Sequence, residues 1–127
     1  MREILFRGKR MGDNEWVYGL LARYGDNTSN IVESKFELLV PVETKTVGQW
    51  AGLCDKNGVK VFEGDVVKVK DALNWGTSGT FIGSVGFGDA SFRIETDTST
   101  HYRWQDYDCE VVGTIFDEEV NSETNSI

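Results

Sequence analysis

Proline is nearly absent from this chain, with Pro41 alone among 127 residues. That scarcity excludes a polyproline linker or a Pro-rich recognition tract. Histidine is as rare, with only His101, and the two cysteines, Cys54 and Cys109, stand far apart with no CxxC pair. A zinc centre of the usual Cys/His kind therefore lacks ligands. Two free thiols in a reducing compartment follow, and a Cys54–Cys109 disulfide stays open only if strands bring the pair together. No apolar run reaches the roughly 20 residues of a membrane span, and none has the length of a secretory leader. The expected location is the cytoplasm, with no membrane partner. A basic excess is missing too: 13 Lys and Arg stand against 21 Asp and Glu, a net charge of −8. That balance opposes broad electrostatic attachment to nucleic acid, though a local basic face stays compatible with it.

Fourteen glycines and 15 aromatic residues (4 Trp, 4 Tyr and 7 Phe) are what the chain has in quantity. Glycine is costly inside helices and useful where turns need positive φ, so many glycines with almost no proline point to short strands joined by tight turns. The alternation agrees. Ile4–Arg7 and Glu15–Tyr24 read as a hairpin around the Gly12-Asp13-Asn14 turn. Trp16, Tyr18, Leu20, Ala22 and Tyr24 fall on one face at period two, and that aromatic face is expected to be core. Further strands are expected at Asn30–Glu33, Phe36–Val42, Thr46–Leu53, Val59–Phe62, Val66–Lys70, Gly79–Phe87, Ser91–Glu95 and Cys109–Phe116. His101–Tyr107 reads equally as a strand or one helical turn. Asn57-Gly58 between apolar segments predicts a type I′ hairpin. The fold expected is mainly β with little helix: a small, strongly bent antiparallel sheet or a small barrel, with an added N-terminal hairpin. One domain is expected over 1–116, with an N-terminal β part (1–45) and a barrel-like part (46–116). An acidic tail without a basic residue covers 117–127.

The stretch from Val47-Gly48-Gln49-Trp50-Ala51-Gly52-Leu53 through Asp55-Lys56-Asn57-Gly58 to Phe62-Glu63-Gly64-Asp65-Val66-Val67 resembles the central signature of the YopX family of phage and prophage proteins. The opening Arg2–Arg10, Glu15–Gly19 and the closing Glu110-Val111-Val112-Gly113-Thr114-Ile115-Phe116 are similar to the family's two ends. Ala51, Cys54 and Thr114 depart from the usual residues, and no turn glycine is lost. The resemblance implies an SH3-like barrel around the signature, a phage or mobile-element origin and self-association. It implies no enzyme activity, cofactor or ligand.

Several residues invite a chemical role. Asp55, Glu63 and Asp65 are hard oxygen donors that would suit Mg²⁺ or Ca²⁺. The spacing is not that of an EF-hand, and turn chemistry accounts for Asp55, Asn57, Gly58, Glu63, Gly64 and Asp65 without a metal. Asp65 is expected to cap its bend by accepting backbone N–H bonds. His101, near Arg103 and Trp104, lacks the oriented partner and nucleophile that catalysis needs, so no catalytic residue is assigned. Gly83–Gly88 lacks the Lys-Ser/Thr and helix of a phosphate loop. Arg7, Lys9, Arg10 and Arg23 sit among aromatics as single-stranded nucleic acid would need, and this is the second reading of function. The first is a non-catalytic accessory protein that binds a protein partner or itself. Trp75, His101, Arg103 and Trp104 are candidate contacts for it.

Overall fold

The computed structural model describes residues 3–25, 28–33, 38–70, 80–88, 91–96, 100–101 and 108–117. Among these the chain is mainly β. Its strands are β1 (Phe6–Lys9), β2 (Trp16–Tyr24), β3 (Thr28–Glu33), β4 (Leu38–Val42), β5 (Gly48–Cys54) and β6 (Lys60–Phe62). They continue with β7 (Asp65–Lys70), β8 (Thr80–Gly88), β9 (Ser91–Glu95), β10 (Thr100–His101) and β11 (Asp108–Thr114). A single 3-10 turn, Thr44–Thr46, is the helical element of the described residues. No helix among them is long and apolar enough to cross a membrane. The chain divides into two compact units, Met1–Gly52 and Leu53–Ile127, with the division inside β5.

The first unit is built on the strand order β4-β3-β2-β1-β5, all antiparallel. Its sheet is strongly bent. The end of β1 leaves β2 and reaches β4 through an Arg10–Val42 bridge, a Met11 N–H to Pro41 C=O bond of 3.1 Å and a Glu43 N–H to Lys9 C=O bond of 2.8 Å. Pro41 thus sits on the outermost strand, where a missing N–H costs no ladder bond. Thr46 closes the corner, its hydroxyl accepting from Lys9 N–H at 2.8 Å and donating to Glu43 C=O at 2.7 Å.

The core of this unit is aliphatic. Val17, Ile31 and Val42 form it, with Phe6, Leu21, Val40 and Val47 packed around them. The expected aromatic core is therefore corrected. Val17 is 4% exposed, whereas Tyr18 is 44% and Leu20 57% exposed. The period was right, and the opposite face is buried. The reason lies in the neighbouring strand: Arg7 is paired with Tyr18 and Lys9 with Trp16, so the aromatic side also carries two cations. Arg7 is itself buried there, its guanidinium over the Trp16 ring, and burying the whole side as the core would desolvate Lys9 as well. The other side offers Val17, Leu21, Ile31 and Val42, which bury without penalty.

In the second unit β6 follows the Asp55–Gly58 hairpin, and the sheet runs β10-β9-β8-β7-β11, again antiparallel. Val61, Val67, Val69, Val85, Ile94 and Cys109 are buried, and Phe62 is the one buried aromatic among the described residues. The β11–β7 register shifts between Val111 and Gly113, a bulge in the closing strand. Of the two forms expected, the bent antiparallel sheet is what forms, and neither sheet closes into a barrel.

Candidate functional site

The signature turns come first, because their carboxylates were the candidates for metal chemistry. Asp55 is buried, and its carboxylate accepts three backbone N–H groups. Oδ1 takes those of Asn57 at 2.8 Å and Val59 at 2.9 Å, and Oδ2 takes that of Val111 at 2.9 Å. Burial pushes the Asp55 carboxyl up, but the three N–H donors outweigh it and hold it below the usual range. The backbone adds an Asp55 N–H to Val59 C=O bond of 2.7 Å and a Gly58 N–H to Asp55 C=O bond of 3.0 Å. Gly58 has φ of 83°, and Asn57 has no positive φ. The turn is thus not type I′. The Asp55 carboxylate satisfies the turn's N–H groups, and only the residue after Asn57 enters the left-handed region, as in a turn followed by a glycine bulge.

Asp65 plays the matching part at the next bend. It is fully buried, and its Oδ2 accepts the Phe62 N–H at 2.8 Å. Gly64 between them has φ of 88°. Its N–H bonds to Val85 C=O at 2.9 Å, and its C=O accepts the Ile115 N–H at 2.8 Å, so this bend joins β8 to the residues after β11. Glu63 is half-buried in the same bend. Among the described residues no three His, Cys, Asp or Glu side chains are grouped to hold a metal ion.

The Asp55 turn also covers the outer side of β11. Lys56 N–H bonds to Cys109 C=O at 3.0 Å, one residue pair from the Asp55–Val111 bond. Two outward backbone groups of the last strand in the sheet order are thereby satisfied by a turn instead of a further strand. Beside it lies a groove of about 330 Å³ lined by Lys56, Lys68, Lys70, Asp108, Cys109 and Glu110. Each cation there has a carboxylate nearby or at its cross-strand register position. Lys68 is paired across the strands with Glu110 and Lys70 with Asp108, and Lys56 Nζ lies 3.8 Å from Glu110 Oε1. Sequence reasoning missed this groove. Its signal was the alternation of Lys68 and Lys70 against Asp108 and Glu110, which needs the β7–β11 register to be read. Both cysteines are free thiols, Cys54 exposed and Cys109 buried. Burial, and then the charges of Asp55 and Asp108, push the Cys109 thiol up, the opposite of an activated nucleophile.

The four N-terminal cations separate into different settings. The Arg7 guanidinium lies 4.1 Å over the centre of the Trp16 ring, and the Lys9 ammonium lies 5.4 Å from the same centre. Arg10 instead forms an ion pair with Asp13, its Nε donating to Oδ1 at 3.0 Å and Nη2 to Oδ2. Arg23 is paired with Ser29 on the opposite face of β2. Only Arg7 and Lys9 are brought together. Trp75, Arg103 and Trp104 lie outside the described residues. His101 is placed by its backbone, paired with Ile94 in β10.

Two features stand out on the face of the first sheet that bears Arg7 and Lys9. Leu20 is paired with Val32, and Val32 with Leu39, so three apolar side chains form a row across β2, β3 and β4. Leu20 and Leu39 are 57% and 51% exposed. Next to the row, Tyr18 and Trp16 stand opposite Arg7 and Lys9. At the register positions of this face β1 to β5 supply those two cations and no carboxylate.

A family model described as YopX protein matches residues 5–120. No curated protein matches. Among solved structures, the crystal structure of protein EF1440 from Enterococcus faecalis is similar in fold, with a TM-score of 0.53 and 19% sequence identity. The similarity covers 91% of this chain and 94% of that one.

Proposed function

This chain belongs to the YopX family, and from that premise we propose that it is a non-catalytic binding module of a phage or prophage, acting in the host cytoplasm through the exposed face of its first sheet. The row Leu20–Val32–Leu39 carries the reading. Singly exposed apolar side chains are ordinary, but three in direct cross-strand sequence form a continuous patch of the kind that protein contacts bury. A second copy of the chain or a protein partner supplies the matching apolar surface. The turn carboxylates support the non-catalytic part, since Asp55 and Asp65 are engaged by backbone N–H groups.

Sedimentation of the purified chain over a range of concentrations tests the self-association arm. Pull-down from host cells with a labelled chain tests the partner arm. Leu20→Asp with Leu39→Asp is expected to keep the β-type far-ultraviolet spectrum while abolishing the higher-mass species or the retained partner. If the double variant keeps both at wild-type levels, the row is not the contact surface.

A further inference from the structure

We propose that the Asn57–Gly58 peptide is a modification site guarded by the Asp55 turn: it deamidates when the turn opens, and the product can no longer form the turn that covers β11. The residues involved all lie in the second unit, so the inference is separate from the contact surface proposed for the first.

Of the seven asparagines in the chain, Asn57 alone is followed by glycine. The nucleophile in deamidation is the backbone nitrogen of the next residue, and Gly58 carries no side chain to obstruct its approach. That nitrogen attacks Asn57 Cγ, the C–N bond of the side-chain amide breaks, and the proton lost from Gly58 leaves with the ammonia. A five-membered succinimide remains. Water then opens it at Cγ to give aspartate, or at the backbone carbonyl to give isoaspartate. One water enters and one ammonia departs, with no oxidation or reduction. Both residues are exposed, so solvent supplies the water and the base.

In the folded turn the nucleophile is occupied. The Gly58 N–H donates to Asp55 C=O at 3.0 Å, and the Asn57 N–H donates to Asp55 Oδ1 at 2.8 Å. The Asn57 side-chain amide donates to Glu110 Oε2 at 3.5 Å, across to β11. Closing the succinimide brings the Gly58 nitrogen to bonding distance of Asn57 Cγ. That turns the Asn57–Gly58 peptide and takes its N–H off the Asp55 carbonyl. The reaction therefore runs through the open turn, and its rate is reduced by the fraction of time the turn is open.

The consequence follows from what the turn holds. Isoaspartate adds one methylene to the backbone, so the Asp55 N–H to Val59 C=O bond of 2.7 Å no longer closes the same loop. Either product also places a new carboxylate beside Asp55 and Glu110. With the turn lost, Cys109 C=O and Val111 N–H lose Lys56 and Asp55 as partners, and the outer edge of β11 is open to strand pairing.

Incubation of the intact chain in mildly alkaline buffer, native and in urea, tests this. Mass spectrometry of digests reads the replacement of amide by carboxylate and the isoaspartate peptide. In urea Asn57 is expected to convert before every other asparagine. In the native chain it is expected to convert at least about tenfold more slowly, the factor for holding two turn hydrogen bonds. Protection of the Gly58 amide against hydrogen exchange is expected to match that slowing within about threefold. Asp55→Ala, which takes the acceptor from Asn57 and Val59, is expected to deamidate about tenfold faster than the native wild type. Where that variant fails to fold, the match between exchange and deamidation in wild type decides alone. Isoaspartate chain separated by ion exchange is expected to exchange its Val111 amide at least about tenfold faster than unreacted chain. Equal deamidation in native and urea-treated chains overturns the guard, and so does a mismatch with Gly58 exchange. Another asparagine converting first in urea overturns the site, and unchanged Val111 exchange overturns the effect on β11.

Discussion

The Asp55 carboxylate accepts the backbone N–H of Val111, 56 residues away, at 2.9 Å. Through that bond a tight turn and the closing strand of the second unit depend on one side chain, which also accepts the N–H groups of Asn57 and Val59. Removing it leaves three N–H donors of a partly buried turn without their acceptor. Asp55→Ala is therefore expected to cost about 3 kcal/mol, in the range for losing hydrogen bonds to a charged group. Urea unfolding measures it, and a loss below about 1 kcal/mol would show the clamp to be ornamental.

The same clamp gives a pH dependence with a definite sign. Asp55 is held below its ordinary range in the folded chain, so the folded state binds its proton less readily than the unfolded state. Its contribution to stability is complete above the unfolded value, about pH 4, and is lost as pH falls through the folded one. The stability gap between wild type and Asp55→Asn is expected to be constant from pH 7 to about pH 5 and to narrow below about pH 4. A gap that widens in acid would reverse the assignment.

Gly64 holds φ of 88° between Glu63 and Asp65, and its N–H and C=O bond to Val85 and Ile115. A side chain there meets the strain of the left-handed region, and the bend cannot relax without breaking those bonds. Gly64→Ala is expected to lower stability by about 1–3 kcal/mol. Thermal unfolding indistinguishable from wild type would contradict it.

Arg10 and Asp13 form an exposed ion pair. Its bond to Arg10, followed by the Glu15 N–H, brings the Asp13 carboxyl down to about 2. Carboxyl carbon shifts followed by NMR are expected to show Asp13 titrating near that value in wild type and higher in Arg10→Ala, though still below the ordinary 3.8 because the Glu15 N–H remains. Equal titration in the two chains would mean that the pair does not persist in solution.

The thiols should differ in reactivity. Cys54 is exposed, whereas Cys109 is buried with its pKa raised. Dithionitrobenzoate is expected to modify Cys54 promptly in the native chain and Cys109 only after denaturant is added. Prompt reaction of both would place Cys109 at the surface.

Local chemistry was legible where neighbours in sequence complete it. The Gly64-Asp65 bend and the strands at Val66–Lys70 and Ser91–Glu95 follow from β-branched alternation and turn residues a few positions apart. The type of the Asn57-Gly58 turn was not, because what decides it is the Asp55 carboxylate and that carboxylate is oriented partly by Val111. The groove between Lys68, Lys70, Asp108 and Glu110 was invisible for a similar reason, since the two strands that build it lie some 40 residues apart and only their pairing makes one surface.

For β2 the limits of the sequence are sharpest. Alternation alone determined that Trp16, Tyr18 and Leu20 share one side of a strand and Val17 and Leu21 the other, because successive side chains in extended backbone must point oppositely. Both sides are apolar enough to be buried, so nothing within β2 selects between them. The choice was made by β1, β3 and β4, which place Arg7 and Lys9 beside the rings and Ile31 and Val42 beside Val17. Only when the strands are paired does the packing of Ile31 and Val42 fall on the Val17 side, and that leaves Tyr18 and Leu20 exposed on the other, with Arg7 buried against Trp16.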